Sequence, residues 1–181
     1  MALKATIFKA DVSISDMDRQ YYQEHHLTIA RHPSETNERM MLRIMAFILN
    51  ASDTLEFTRG LSEVDDPDIW QKSLTEDIEL WIELGQPSEQ RIKKGCNQAQ
   101  QMKIYSYADN SFHTWWEREK NKLWVRENLS VVTIDEELAN ALAEAVHRNM
   151  QIQATIQDGQ MWLTIDEISV EIMAEIHTRS S

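Results

Sequence analysis

The chain is short of the residues that punctuate and staple a fold: one cysteine, Cys96, four glycines and three prolines among 181 residues. A lone thiol excludes an internal disulfide framework and any cysteine-rich zinc site. With no Gly/Ser/Pro-rich linker, no internal repeat and no low-complexity tract, one continuous fold is expected. The opening Met1-Ala2-Leu3-Lys4-Ala5-Thr6-Ile7 lacks the apolar run and cleavage site of a secretory signal. No stretch approaches the ~20 apolar residues that span a bilayer. These absences predict a cytoplasmic protein with no membrane partner. The sequons Asn50-Ala51-Ser52 and Asn128-Leu129-Ser130 are then chance matches.

Positive charge is scarce as well. Eighteen Lys and Arg face thirty Asp and Glu, a formal net charge of −12. Non-specific nucleic-acid binding comes mainly from neutralised phosphates, so this chain is a poor general binder of nucleic acid. The charge is uneven, however. Residues 127–181 carry ten acids against Arg148 and Arg179, whereas residues 86–104 carry Arg91, Lys93, Lys94 and Lys103 against Glu89. That basic stretch remains compatible with a phosphodiester, although a solvated helix face explains it more simply. At 42% hydrophobic and 27% charged the chain can bury a sizeable core. One domain over 1–181 is expected, with candidate sub-lobes 1–123 and 124–181 where acidity rises.

Hydrophobic periodicity predicts mixed α and β structure. Residues 3–14 read as a strand whose apolar phase shifts after Ile7, which suggests a bulge or burial on both faces. Residues 21–31 can pair with it. A helix over 34–50, capped by Ser34, is apolar nearly all round from Met40 to Leu49 and so belongs at the centre of the domain. Leu55–Gly60 reads as a short strand, and 66–73 as a short surface helix with Pro67 in its first turn. The clearest strand is 77–85: Ile78, Leu80, Ile82 and Leu84 form one face, Asp77, Glu79, Trp81 and Glu83 the other. A helix from Ser88 and a strand over 102–107 complete a crossover, so the two strands should be parallel, within a mixed sheet flanked by 55–60 and 102–107. Further on, a helix over 111–123 with Phe112, Trp116 and Leu123 inward, a strand over 125–134 and a helix from Asp135 lead to an antiparallel meander. Asp158-Gly159 turns its first hairpin, and 167–176 is its last strand.

The common catalytic fingerprints are missing: no phosphate-cradling glycine loop, no nucleophile elbow, no His-Glu-x-x-His and no Cys-x-x-Cys. Cys96 sits on an apolar helix face, as an inert core thiol would. His25, His26 and His113 lack metal-ligand spacing. The nine methionines and the Trp115-Trp116 pair read as core filler. What stands out is the row of acids on strand 77–85, read as its exposed or cleft face, followed at once by a basic helix. Such acids need a counter-ion, and Mg²⁺ or Mn²⁺ is the hard cation of choice. Glu79 and Glu83 lie roughly 13 Å apart along a strand, too far to share one ion. Salt bridges from Glu83 and Glu79 to arginine or lysine across the strand explain the acids more simply.

Long motifs then resemble a known family. Arg31-His32-Pro33-Ser34-Glu35-Thr36-Asn37-Glu38-Arg39-Met40-Met41-Leu42-Arg43, Leu80-Trp81-Ile82-Glu83-Leu84-Gly85-Gln86-Pro87, Arg91-Ile92-Lys93-Lys94 and Gln153-Ala154-Thr155-Ile156-Gln157-Asp158-Gly159 are similar to the bacterial YaeQ family. The resemblance covers nearly the whole chain. It implies an α+β fold with a PD-(D/E)XK nuclease-like core: a central mixed sheet flanked by helices, plus the antiparallel C-terminal meander. In that superfamily, acids from two or three elements hold Mg²⁺ or Mn²⁺, the ion lowers the pKa of a water, and a lysine orients that water. Carried over, Glu83 is the metal-binding acid of the (D/E)-x-K element, with Glu79 or Asp77 upstream and Glu38 or Glu35 on the helix. Gly85 stands where the lysine belongs, so Lys93 or Lys94 would have to reach back. Arg31, His32, Arg39 and Arg91 are the cations that would meet a DNA or RNA backbone. The function implied is a metal-dependent phosphodiesterase. The alternative is an inactive relative that binds nucleic acid or a protein, including a factor whose acidic C-terminal part meets a basic surface.

Overall fold

A computed structural model describes residues 4–59, 61 and 64–177. Leu3 and Gly60, at the ends of two expected strands, lie outside the described residues. Two compact units interleave along the chain. One comprises residues 1–41 and 137–174, the other residues 42–136 and 175–181.

The first unit is built on a five-stranded sheet. β1 (Thr6–Asp16) and β2 (Tyr21–Arg31) form an antiparallel pair over eleven residues each. β8 (Asn149–Gln157) joins β1 in parallel, and β9 (Gln160–Ile165) and β10 (Ile168–Met173) continue antiparallel, giving the order β10-β9-β8-β1-β2. The expected meander is therefore present, but a parallel strand ties it to the start of the chain. Asp158 and Gly159 turn the β8–β9 hairpin with φ of 54° and 76°, the paired positive values that an Asp-Gly hairpin turn requires. The expected bulge in β1 is absent. Its ladder to β2 runs unbroken, and the even-numbered Phe8, Ala10, Val12 and Ile14 supply the core while Ile7 is exposed. The later phase of the pattern marks the buried face.

In the second unit a six-stranded sheet has the order β11-β7-β6-β5-β4-β3. β3 (Leu55–Phe57), β4 (Ile69–Lys72) and β5 (Ile78–Leu84) are antiparallel neighbours. β6 (Ala99–Tyr107) and β7 (Leu129–Ile134) then run parallel to β5, as the crossover predicts, and β11 (Glu175–His177) closes the far edge antiparallel to β7. The segment expected as a helix over 66–73 is strand β4, so β5 is flanked by β4 and not by residues 55–60. Ile69 and Trp70 suit a strand, and Pro67 precedes the ladder, where its missing N–H costs nothing. The last expected strand, 167–176, is divided: β10 stays with the first sheet and β11 joins the second.

Helix α1 (Asn37–Asn50) crosses from the first unit into the second, and Met40 to Ile48 are buried without exception. Thr36, not Ser34, caps it: its Oγ1 accepts the Arg39 N–H at 3.1 Å. In the second unit α1 packs through Phe47 on Phe57, and Asn50 Nδ2 donates to the Tyr105 hydroxyl at 2.7 Å. α2 (Glu89–Gln98), capped by Ser88, and α3 (Asn110–Leu123), capped by Asp109, supply another cluster with the sheet. Ile92, Cys96, Phe112 and Trp115 pack there with Trp81, Met102 and Ile104. Trp115 is the buried member of the tryptophan pair, while Trp116 stacks at its edge on Phe112. α4 (Glu137–Glu144) belongs to the first unit. No helix of the described residues is long and apolar enough to cross a membrane.

Candidate functional site

The acids at and along β5 meet different fates, beginning with Asp77 just before the strand. Asp77 is exposed and accepts from the Thr75 hydroxyl at 2.6 Å. Glu79 is half-buried and accepts from Gln71 Nε2 at 2.7 Å. Trp81 and Glu83 are both buried, Glu83 to 3% exposure. The face read as exposed is therefore covered at its C-terminal end. The strand is flanked by a parallel neighbour reached through α2, and the crossover helix packs back over that face.

Glu83 lies in a ring of named partners. Its Oε1 accepts from Arg91 Nε at 2.8 Å and from Trp81 Nε1 at 2.9 Å. Arg91 sits in the first turn of α2, fixed by the Ser88 cap, and its two terminal nitrogens donate to the carbonyls of Val64 and Asp66. Asp68 immediately precedes β4, its N–H donates to the Ile82 carbonyl of β5 at 3.1 Å, and its charge is felt at Glu83. Asp68 is 4% exposed and its Oδ2 accepts the Leu84 N–H at 3.0 Å. Burial pushes the Glu83 carboxyl above its ordinary pKa, and the Asp68 charge pushes the same way; Arg91 and the Trp81 indole oppose both.

Asp68 was not among the expected acids. Reading Pro67 as a helix start hid it, because that placed residues 66–73 in a surface helix and not beside β5. The missing lysine also has a structural reason. Gly85 has φ of +85° and donates its N–H to Tyr105 at 2.8 Å, so the strand has already ended in a left-handed turn that disfavours a side chain. Lys94 binds Asp65 at 2.7 Å, which lowers that carboxyl's pKa, and Lys93 is exposed on α2.

The other expected residues belong to the first unit. Glu35, 6% exposed, pairs with Arg39 at 2.6 Å. Glu38 is half-buried in the first turn of α1. His32 Nδ1 bonds the Ser34 hydroxyl at 2.6 Å, and Arg31 donates to Asn37 Oδ1. The structure thus brings Glu83 and Arg91 together, and Glu35 and Arg39, while Glu38 and Glu83 belong to different compact units. Among the described residues no group of three or more His, Cys, Asp or Glu is arranged to hold a metal ion.

Known proteins resemble this chain along almost its full length. Residues 1–174 match the family model described as YaeQ protein. The "Uncharacterized protein YaeQ" of Escherichia coli (strain K12) is 45% identical over 172 residues, 95% of both chains, and that of Salmonella typhi is 47% identical over the same length. The crystal structure of YaeQ from Xanthomonas axonopodis pv. citri superposes with a TM-score of 0.92 at 42% identity, covering 96% of this chain and 98% of that one. YaeQ from Pseudomonas syringae gives 0.91 at 30% identity, with 96% of each chain covered. Their mixed α+β architecture is the one described above, and the chain belongs to the YaeQ family.

Proposed function

We propose that this YaeQ-family chain has a nuclease-like core whose acidic pair serves the fold, and that it acts as a non-catalytic binding module for nucleic acid or protein. The observation that carries this reading is the 2.8 Å contact of Arg91 with Glu83. A guanidinium fills the role of counter-ion that a divalent cation would otherwise take, and its remaining nitrogens are spent on backbone carbonyls. Two further features support it. The lysine position has become a left-handed glycine, and Lys94 is bound to Asp65 instead of being directed at Glu83.

One observation favours the second reading, a Mg²⁺- or Mn²⁺-dependent phosphodiesterase acting on DNA or RNA. Asp68, of the Pro67-Asp68 pair, is a second buried acid near enough to act on the Glu83 charge, and such cations are commonly held by one or two carboxylates. As arranged, Glu83 offers Oε1 to two donors already, so the donor set suits the guanidinium better than a metal. Thermal melts in chelator and in millimolar Mn²⁺ or Mg²⁺, beside a cleavage survey of single- and double-stranded DNA and RNA, separate the two. The binding-module reading expects neither a melting shift nor cleavage. Stabilisation approaching ~2.7 kcal/mol, as for a ligand at 100 times its dissociation constant, together with metal-dependent cleavage overturns it.

A further inference from the structure

The first unit holds two arginines whose surroundings differ from those of its other cations. Arg31, at the end of β2, has its guanidinium carbon 5.1 Å from the centre of the Phe8 ring, and Arg148, just before β8, lies 5.7 Å from the same ring. The backbone puts them there: Thr6 of β1 is the register partner of Arg31, and the Lys9 N–H donates to the Arg148 carbonyl at 2.8 Å. Phe8 itself is buried.

Cations over rings are ordinary, and here the others are buried or tied to acids: Arg43, over Phe57, is 4% exposed. Arg19 lies over Tyr21 but pairs with Asp16 at 2.7 Å; Lys72 lies over Trp70 but reaches Glu76 at 3.5 Å. Arg31 and Arg148 have no carboxylate partner among the described residues, in a chain with thirty acids. Glu35 pairs with Arg39 instead, and His147, beside Arg148, takes Asp166 at 2.7 Å. Ring contact uses the face of a guanidinium and leaves its five N–H donors in the plane. Arg148 is exposed and spends none of them on protein among the described residues. Arg31 spends one on Asn37, the first residue of α1, so it lies beside the end of the helix dipole that already favours an anion.

We infer that Arg31 and Arg148, held on Phe8, form a two-pronged anion site for adjacent phosphates of a single-stranded nucleic acid. The inference names a ligand class for the binding-module reading and rests on it. Two planar forks on one ring suit two charges spaced along one strand, each fork able to take a phosphate through paired N–H donors. The acidic remainder of the chain repels a long polyanion and keeps the contact to these two charges.

The test is fluorescence anisotropy of a short labelled single-stranded oligonucleotide in chelator at stepped NaCl, with wild type, R148Q and R31Q. Wild type should bind at low salt with a slope of log K against log salt of about −1.4, which is ~0.7 for each of two phosphates. R148Q, changed at an exposed position, should keep the wild-type melting temperature, lose at least fivefold in affinity and halve the slope. R31Q should behave alike, and its melt is checked beside it. R148Q binding within twofold of wild type, no wild-type binding at low salt, or a much steeper slope would each overturn the site. Failure of the binding-module reading looks different: the oligonucleotide is cleaved when Mn²⁺ is supplied, whatever residue 148 is.

Discussion

Arg91 and Glu83 are partners, yet removing one should not cost the same as removing the other. Arg91→Met leaves the Glu83 carboxylate, with 4% of its side chain exposed, beside Asp68 and without its cation. Breaking a buried pair in this way costs ~3–5 kcal/mol, and the two lost donations to Val64 and Asp66 argue for at least the middle of that range. For a chain of this size, ~4 kcal/mol lowers Tm by roughly 8–16 °C. Glu83→Gln is milder. Burial already disfavours the ionised carboxyl, the amide oxygen still accepts from Trp81 and Arg91, and Arg91, with a quarter of its side chain exposed, reaches solvent. A loss of about 1 kcal/mol is expected, the value of an ordinary hydrogen-bond change. The double variant should be more stable than Arg91→Met alone, because the second change removes the stranded charge. A carboxyl whose folded pKa is raised stabilises the fold at low pH and loses that contribution as pH rises through the folded value. The Arg91→Met deficit should therefore shrink as pH falls through the raised Glu83 value. Urea denaturation of the four proteins in chelator, followed by tryptophan fluorescence, measures all of this. If Glu83→Gln added to the damage of Arg91→Met, or if Arg91→Met cost under ~1 kcal/mol, the ion pair would not be what holds this end of β5.

Gly95→Ala puts a Cβ 2.6 Å from Met102 Sδ and 3.0 Å from Trp81 Nε1; overpacking of this kind costs ~1–3 kcal/mol, and a displaced Trp81 should show as a fluorescence shift because its indole hydrogen-bonds Glu83. Gly85→Lys, the change that writes a lysine into the expected position, meets open space but a φ of +85°, so denaturation should show a loss of about 1–2 kcal/mol, with no gain of cleavage in Mn²⁺. On the exposed face of the first sheet, the Asp11 hydrogen bond raises the His26 pKa, and His26, followed by Gln151, lowers that of Asp11. The pair contributes fully between the ordinary carboxylate and imidazole values, fading as pH falls through the lowered Asp11 pKa or rises through the raised His26 pKa. In an NMR titration, Asp11→Asn should bring the His26 midpoint down; an unchanged midpoint would refute the contact.

Period-2 and period-3.6 patterns made most elements legible. The alternation of residues 78–84, the all-round apolar run from Met40 and the Asp-Gly turn at 158–159 each state a local preference that packing then reinforces. The failures share a cause. Residues 66–73 carry a proline that fits a helix start and a strand start equally well, and only pairing on both sides makes Ile69–Lys72 a strand. The divided last strand and the parallel pairing of β1 with β8 are long-range choices, and no local window contains them.

The candidate site shows the same limit in chemical form. The family resemblance singled out Glu83 and offered it Glu79 or Asp77 on the same strand and Glu38 or Glu35 on the helix. The acid close enough to be felt by Glu83 is instead Asp68, just before β4, brought in from the neighbouring strand's end and not from along β5. The charge run after β5 was legible as basic, but not which of its members would be spent. One helical turn past a serine cap decides that Arg91 reaches Glu83, while Lys94, a further three residues along α2, reaches the loop at Asp65. A basic helix beside a buried acid therefore reads as a site or as a brace according to which residue lies over the carboxylate. Here the arginine does, and cations that remain available to a ligand must be sought where no acid reaches them, as at Phe8 between Arg31 and Arg148.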